Sequence, residues 1–169
     1  PCFRNHEPWD GTHDPEFLMI EWYRRDAGLE ALITDTEQMI RFVVHATKQN
    51  EQACWQAALA QPFRTLTVRE AMQQYASVDL DPLLGDRSAL GEVARAHHQS
   101  VNEQDTWDDL FFKIFLSEVE PRLGWNEDHS AWKPTFLTHY PASMAALARK
   151  DPRDPRFALR TELYIGDLA

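Results

Sequence analysis

The chain has 169 residues, with 17 Lys and Arg against 27 Asp and Glu, so it is the size of one domain and carries a formal net charge of −10. That balance argues against broad binding to nucleic acid backbones, which requires clustered cations, and the 43% hydrophobic and 11% aromatic content argues against intrinsic disorder. No apolar run reaches the roughly 18 residues of a membrane span, and Pro1-Cys2-Phe3-Arg4-Asn5 has neither the basic start nor the apolar stretch of a signal peptide, so a soluble, cytoplasmic protein is expected.

The first two dozen residues read as a β-hairpin. Its second arm is Phe17-Leu18-Met19-Ile20-Glu21-Trp22-Tyr23, and the turn-forming stretch from His6 to Pro15 joins the arms. The period then becomes helical: Leu29, Leu32, Ile33, Thr36, Ile40, Val43 and Thr47 predict an amphipathic helix over about residues 28–48. Thr67-Val68-Arg69-Glu70 has the form of a capping box and opens a shorter helix that turns Ala71, Met72 and Tyr75 inward. A third helix places Leu90, Val93, Ala94 and His97 on one stripe, with His98 facing water. The fourth starts at Asp105 or Thr106, ends near Pro121, and buries Trp107, Leu110, Phe111, Ile114 and Phe115. Residues 134–140 and 157–165 then read as strands. The charged, proline-containing run 149–156 reads as a solvated loop, and His45, His129 and His139 as structural. Strands at both ends and helices between them predict an α+β fold with a mainly antiparallel sheet and flanking helices.

Alternation along the second arm places Phe17, Met19, Glu21 and Tyr23 on one face and Leu18, Ile20 and Trp22 on a core face. Arg4 stands on the first arm. A guanidinium can hold a phosphate through two parallel hydrogen bonds, so Arg4 with a stacking Phe17 makes a nucleotide grip, although an Arg and a Glu on neighbouring strands also make an ordinary cross-strand ion pair. A third reading is a metal site, because His6, Glu7, Asp10, His13, Asp14 and Glu16 crowd one loop; their spacing matches no zinc motif. Cys2 and Cys54 are widely separated and suggest neither a disulfide framework nor a thiolate site. No GxSxG, P-loop or GxGxxG occurs.

Phe3-Arg4-Asn5, the acidic turn-rich loop, His13-Asp14-Pro15-Glu16-Phe17 and Glu21-Trp22-Tyr23 together resemble motif 2 of the class II aminoacyl-tRNA synthetases in its lysyl form (RNE, loop, HNPEF, ExxY). Residues 66–71 and 133–142 are similar to two later stretches of that catalytic domain. Within the superfamily, Glu21-Trp22-Tyr23-Arg24 and residues 140–148 (YPASMAALA) are most similar to the elongation factor P lysine ligases, relatives of lysyl-tRNA synthetase without an anticodon domain.

The resemblance implies ATP-dependent activation of a lysine-type amino acid, (R)-β-lysine in this family, as an adenylate, with transfer to a lysine of elongation factor P. ATP and Mg2+ are the implied cofactors. A homodimer of the full-length protein and no tRNA are the implied assembly. Arg4 would be the catalytic residue, holding the α-phosphate; Asn5, His6, Glu7, His13, Asp14 and Phe17 would complete the ATP site, and Glu21 and Tyr23 would line the amino-acid pocket. Two alternatives remain: a lysyl-tRNA synthetase core, and a degenerate domain that binds nucleotide or a partner without turnover. His6 stands where the motif has Glu, so either His6 or Glu7 takes that part, and Asp14 replaces Asn. Residues 1–169 correspond to the central part of the catalytic domain, from motif 2 onward, with motifs 1 and 3 absent; truncation at both ends implies little activity for this chain alone.

Overall fold

The computed structural model describes residues 1–4 and 15–166. A short antiparallel pair, β1 (Cys2–Phe3) and β2 (Glu16–Phe17), precedes a long helix α1 (Leu29–Ala46) and a short helix α2 (Ala53–Leu59). Strand β3 (Arg64–Thr67) runs into α3 (Val68–Ala71), which continues as a π-helical turn over Met72–Ala76. Helices α4 (Arg87–Ala96) and α5 (Trp107–Ile114) follow, and then β4 (Thr135–Pro141) and β5 (Phe157–Tyr164) close a three-stranded sheet of order β3-β4-β5.

The predicted capping box operates, and of Asp105 and Thr106, the two predicted starts of the fourth helix, Thr106 is the cap. Thr67 accepts from the Glu70 amide while the Glu70 carboxylate accepts from the Thr67 amide at 2.8 Å; Thr106 and Asp109 repeat the arrangement at the start of α5. Each box satisfies two amides that a helix start otherwise leaves without partners. Removing the Thr106 hydroxyl with Thr106→Ala is expected to cost about 1 kcal/mol in chemical denaturation; Thr106→Ser, which keeps the acceptor, should cost far less.

The core is one cluster. Leu110, Phe111, Ile114 and Phe115 of α5 and its extension meet Leu90 and Ala94 of α4, Val68, Ala71 and Met72 around α3, and Leu137 and Tyr140 of β4. Trp107, expected in this core, is half-buried at its edge, where its indole N–H donates to the Leu83 carbonyl at 2.8 Å. His97 caps α4 in a half-buried position and His98 is exposed. β4 is covered on both faces, so its polar side chains are paired: the Thr138 hydroxyl donates to the Leu66 carbonyl and the Thr135 hydroxyl to the Lys133 carbonyl.

Several expectations need correction. β3 lies parallel to β4, with Arg64 opposite Thr135 and Thr67 opposite Thr138, beside the antiparallel β4–β5 pair. The second hairpin arm ends as a strand at Phe17, and the predicted core face is exposed, with Leu18 at 85%, Ile20 at 77% and Trp22 at 41% accessibility. The physical reason is that extended backbone needs a neighbouring strand, and β2 pairs among the described residues only with β1 over two residues. In α1 the predicted inner stripe is covered only in part: Leu29 is buried, Ile33, Thr36 and Ile40 are half-buried, and Leu32, Val43 and Thr47 are exposed, whereas Val44, outside that stripe, is buried. No described helix is long and apolar enough to cross a membrane.

Candidate active site

Register decides which side chains of the hairpin meet. Cys2 lies opposite Phe17 and Phe3 opposite Glu16, and the Arg4 amide donates to the Pro15 carbonyl at 2.9 Å, continuing the ladder. Residues two apart share a face, so Arg4 falls diagonal to Phe17 on the side that Cys2 also occupies. The Arg4 guanidinium carbon sits 5.3 Å from the centroid of the Phe17 ring, within cation–π range. Arg4 is exposed and Phe17 half-buried. Glu16 points to the opposite face with Phe3, which is 72% exposed.

The structure therefore brings Arg4 and Phe17 together and leaves Glu21 and Tyr23 exposed, Tyr23 at 93%. Asn5, His6, Glu7, His13 and Asp14 lie outside the described residues, as do Asp10 of the rival metal reading and the Asp167-Leu168-Ala169 end. Among the described residues no group of three or more His, Cys, Asp or Glu is placed to hold a metal ion.

A tRNA synthetases class II (D, K and N) family model matches residues 1–168. The chain belongs to that family. Its relatives include the elongation factor P--(R)-beta-lysine ligase of Haemophilus influenzae strain PittGG, 32% identical over 166 residues that make up 98% of this chain and 44% of the relative. The ligase of that name from Klebsiella pneumoniae strain 342 is 34% identical over 165 residues, covering 96% of this chain and 43% of the relative. The lysine--tRNA ligase of Mycoplasma pneumoniae is 31% identical over 169 residues, 97% of this chain and 32% of that protein. The chain thus spans less than half the length of these curated relatives. As a class II synthetase domain it is α+β, as the strand and helix order predicts.

In this synthetase-family chain a second polar centre lies on the sheet, at residues the sequence reading assigned to a loop and to structure. His139 occupies a β-bulge of β4 in left-handed backbone, φ 57°. Its Nε2 lies 3.3 Å from Asp151 Oδ2, and its Nδ1 lies 2.9 Å from the Thr138 hydroxyl oxygen. Asp151 is buried, and it also takes the Arg153 amide at 2.9 Å and the Arg153 guanidinium at 3.2 and 3.1 Å. The hydrogen bonds from Arg153, ahead of the Arg153 and His139 charges, hold the Asp151 carboxyl below the ordinary carboxylate range. One tripeptide later the pattern repeats: Asp154 takes Arg156 at 2.9 and 2.7 Å and Arg69 of α3 at 3.1 Å. Arg69 continues to Asp81 at 2.7 Å and covers the Phe157 ring at 4.5 Å. The run 149–156 is accordingly a loop, but a tethered one, and the tandem Asp-Pro-Arg at 151–156 was the available signal.

The inner part of β5 carries a third polar group. The hydroxyls of Tyr140 and Tyr164 both donate to Glu162 Oε2, at 2.7 and 3.0 Å, and Arg160 pairs with the same carboxylate. Burial, ahead of the Glu162 charge, pushes both phenols above their ordinary range; burial and then Glu162 also raise Glu120. Residues so tied to one another hold β4 and β5 together.

Proposed function

We propose that this chain is the central part of the catalytic domain of an ATP-dependent ligase that activates a lysine-type amino acid, (R)-β-lysine by preference, and transfers it to a lysine of elongation factor P. The observation that carries the reading is Arg4 set beside the Phe17 ring on one face of the hairpin, in a family whose relatives here include ligases of that name. The donor chemistry fits ATP: a guanidinium offers paired donors to phosphate oxygens, and an adjacent ring offers a face to a base. In this reading Arg4 binds the α-phosphate and stabilises the charge that builds there, and Phe17 stacks on adenine. Asn5, His6 or Glu7, His13 and Asp14 complete the ATP site, and the carboxylate of Glu21 with Tyr23 receives the substrate ammonium group. Asp14 adds a negative charge to that of the ATP phosphates, and a bound magnesium ion would supply the positive charge that offsets it. The acceptor is a protein, not tRNA; the full-length enzyme is a cytoplasmic homodimer.

Calorimetric titration of the chain with ATP and magnesium tests the nucleotide site. Arg4→Ala is expected to weaken binding about tenfold or more, with Arg4→Lys intermediate because it keeps the charge and loses the fork. Unchanged affinity in Arg4→Ala overturns the assignment. Pyrophosphate exchange with (R)-β-lysine is expected to stay near background in the 169-residue chain, which covers only 44% of the Haemophilus relative. Exchange at the rate of such a full-length relative overturns that expectation. The Mycoplasma lysine--tRNA ligase favours a second reading, a lysyl-tRNA synthetase core, and aminoacylation of tRNA in place of elongation factor P by the full-length protein would establish it.

A further inference from the structure

A cleft of about 260 Å³ opens where the Leu84–Gly85 turn, the first turn of α5 and the end of β4 meet. Leu84, Trp107, Pro141 and Ala142 give it apolar walls, and its polar lining comes from Asp108, Ser143 and Arg156. With its N–H committed to the Leu83 carbonyl, Trp107 presents ring surface, held in place by stacking on Phe111 with centroids 5.6 Å apart. Arg156 is neutralised by its two bonds to Asp154, and Asp81 lies 3.6 Å away. Asp108 differs. One of its oxygens accepts from the Ser143 hydroxyl at 2.8 Å, and no Lys, Arg or His among the described residues pairs with it. The cleft therefore combines aliphatic and aromatic walls with a carboxylate that forms no ion pair among the described residues.

We propose that this cleft binds a primary alkylammonium group, its carbon stem against Leu84, Pro141 and Ala142 and its ammonium between Asp108 and the Trp107 ring. A charged head on an apolar stem is the chemistry such walls complement: the ammonium gains a charge-assisted hydrogen bond and a cation–π contact while the stem leaves water. An anionic ligand is disfavoured by Asp108, and a purely apolar one leaves that carboxylate unanswered. Free diamino acids and lysine side chains on a peptide share this chemistry. None of the lining residues belongs to the Arg4–Phe17 hairpin, so the two sites are tested separately.

The test is an NMR titration of the isotope-labelled chain with n-butylammonium chloride, against n-butanol and against sodium chloride at matched ionic strength. Saturable shifts of the Trp107 indole N–H and the Ala142 and Ser143 amides are expected with butylammonium and with neither control. Asp108→Asn, which keeps an acceptor for Ser143, should weaken binding about tenfold, and Ala142→Leu, which fills the cleft from the other wall, should abolish it. Absence of saturation, an equal response to butanol, or unchanged affinity in both variants overturns the proposal. Free L-lysine and an acetylated, amidated Gly-Lys-Gly peptide then distinguish the sources. Tighter binding of either supports the alkylammonium site and names its source, and failure of both overturns it.

Discussion

Gly124→Ala is expected to lower the unfolding free energy by about 3 kcal/mol or more, a fall in Tm of roughly 6–12 °C for a domain of this size. Two separate costs add. Gly124 has φ +77°, a left-handed conformation that costs an L-residue about 1–2 kcal/mol. An added Cβ would also lie 2.7 Å from the Gly166 nitrogen, 2.9 Å from its oxygen and 3.0 Å from the Ile165 nitrogen. These are backbone atoms, so no side-chain rotation relieves the contact. They are also in use: the Gly124 carbonyl accepts from both Lys133 at 2.8 Å and Gly166 at 3.1 Å, tying the segment after α5 to the end of β5. Gly85 separates the two costs. It has φ +76°, yet an added Cβ meets nothing within 4 Å, so Gly85→Ala should cost only the conformational part, about 1–2 kcal/mol. Calorimetric melts of both variants measure the steric part as their difference; equal losses would show that Gly124 is not sterically confined.

What the sequence made legible follows from the range of the forces involved. The capping boxes at Thr67–Glu70 and Thr106–Asp109 are contacts three residues apart, and they stand where the residue types put them. The stripe through Leu110, Phe111, Ile114 and Phe115 has a helical period and is buried. β4 and β5 were visible as runs of strand-forming residues, but β3 has four residues, and its identity rests on Arg64 meeting Thr135, 71 positions away. Leu18 to Tyr23 shows the converse. Its composition suits a strand, but strand formation depends on a partner, and in this chain those apolar side chains stand in water.

The candidate site divides along similar lines. Motif 2 identified Arg4 and Phe17 before any geometry, and the two-residue ladder is enough to place them on one face. The Asp151 centre was hidden. Balanced charges and prolines are the usual composition of a solvated loop, and nothing local to residues 149–156 shows that Asp151 is buried against a histidine on a bulge of another strand. Such a contact becomes visible only once β4 is paired and His139 has taken its left-handed backbone.

Asp151 is the one buried charged side chain among the described residues. Asp151→Ala is expected to lower Tm by about 5 °C, more than a lost helix cap, because it leaves the Arg153 amide and His139 Nε2 facing a vacated acceptor. Asp151→Asn keeps one oxygen and should fall between the variant and the parent. The pH dependence has a definite sign. The Asp151 carboxyl is held below its unfolded value of about 3.9, so the stabilisation is fully present above that pH and is lost as pH falls through the folded-state value. Asp154, lowered chiefly by its hydrogen bond from Arg156, acts in the same direction. Glu120, raised by burial, has the opposite sign: its ionisation weighs against the fold as pH rises past the usual carboxylate range. Melts of parent and Asp151→Asn recorded from pH 7 down to about pH 3 should therefore draw closer below about pH 3.9, where the parent begins to lose the advantage of the ionised carboxylate that the amide never had. A Tm gap that stays constant across this range would show that shape, and not charge, is what Asp151 contributes to the loop.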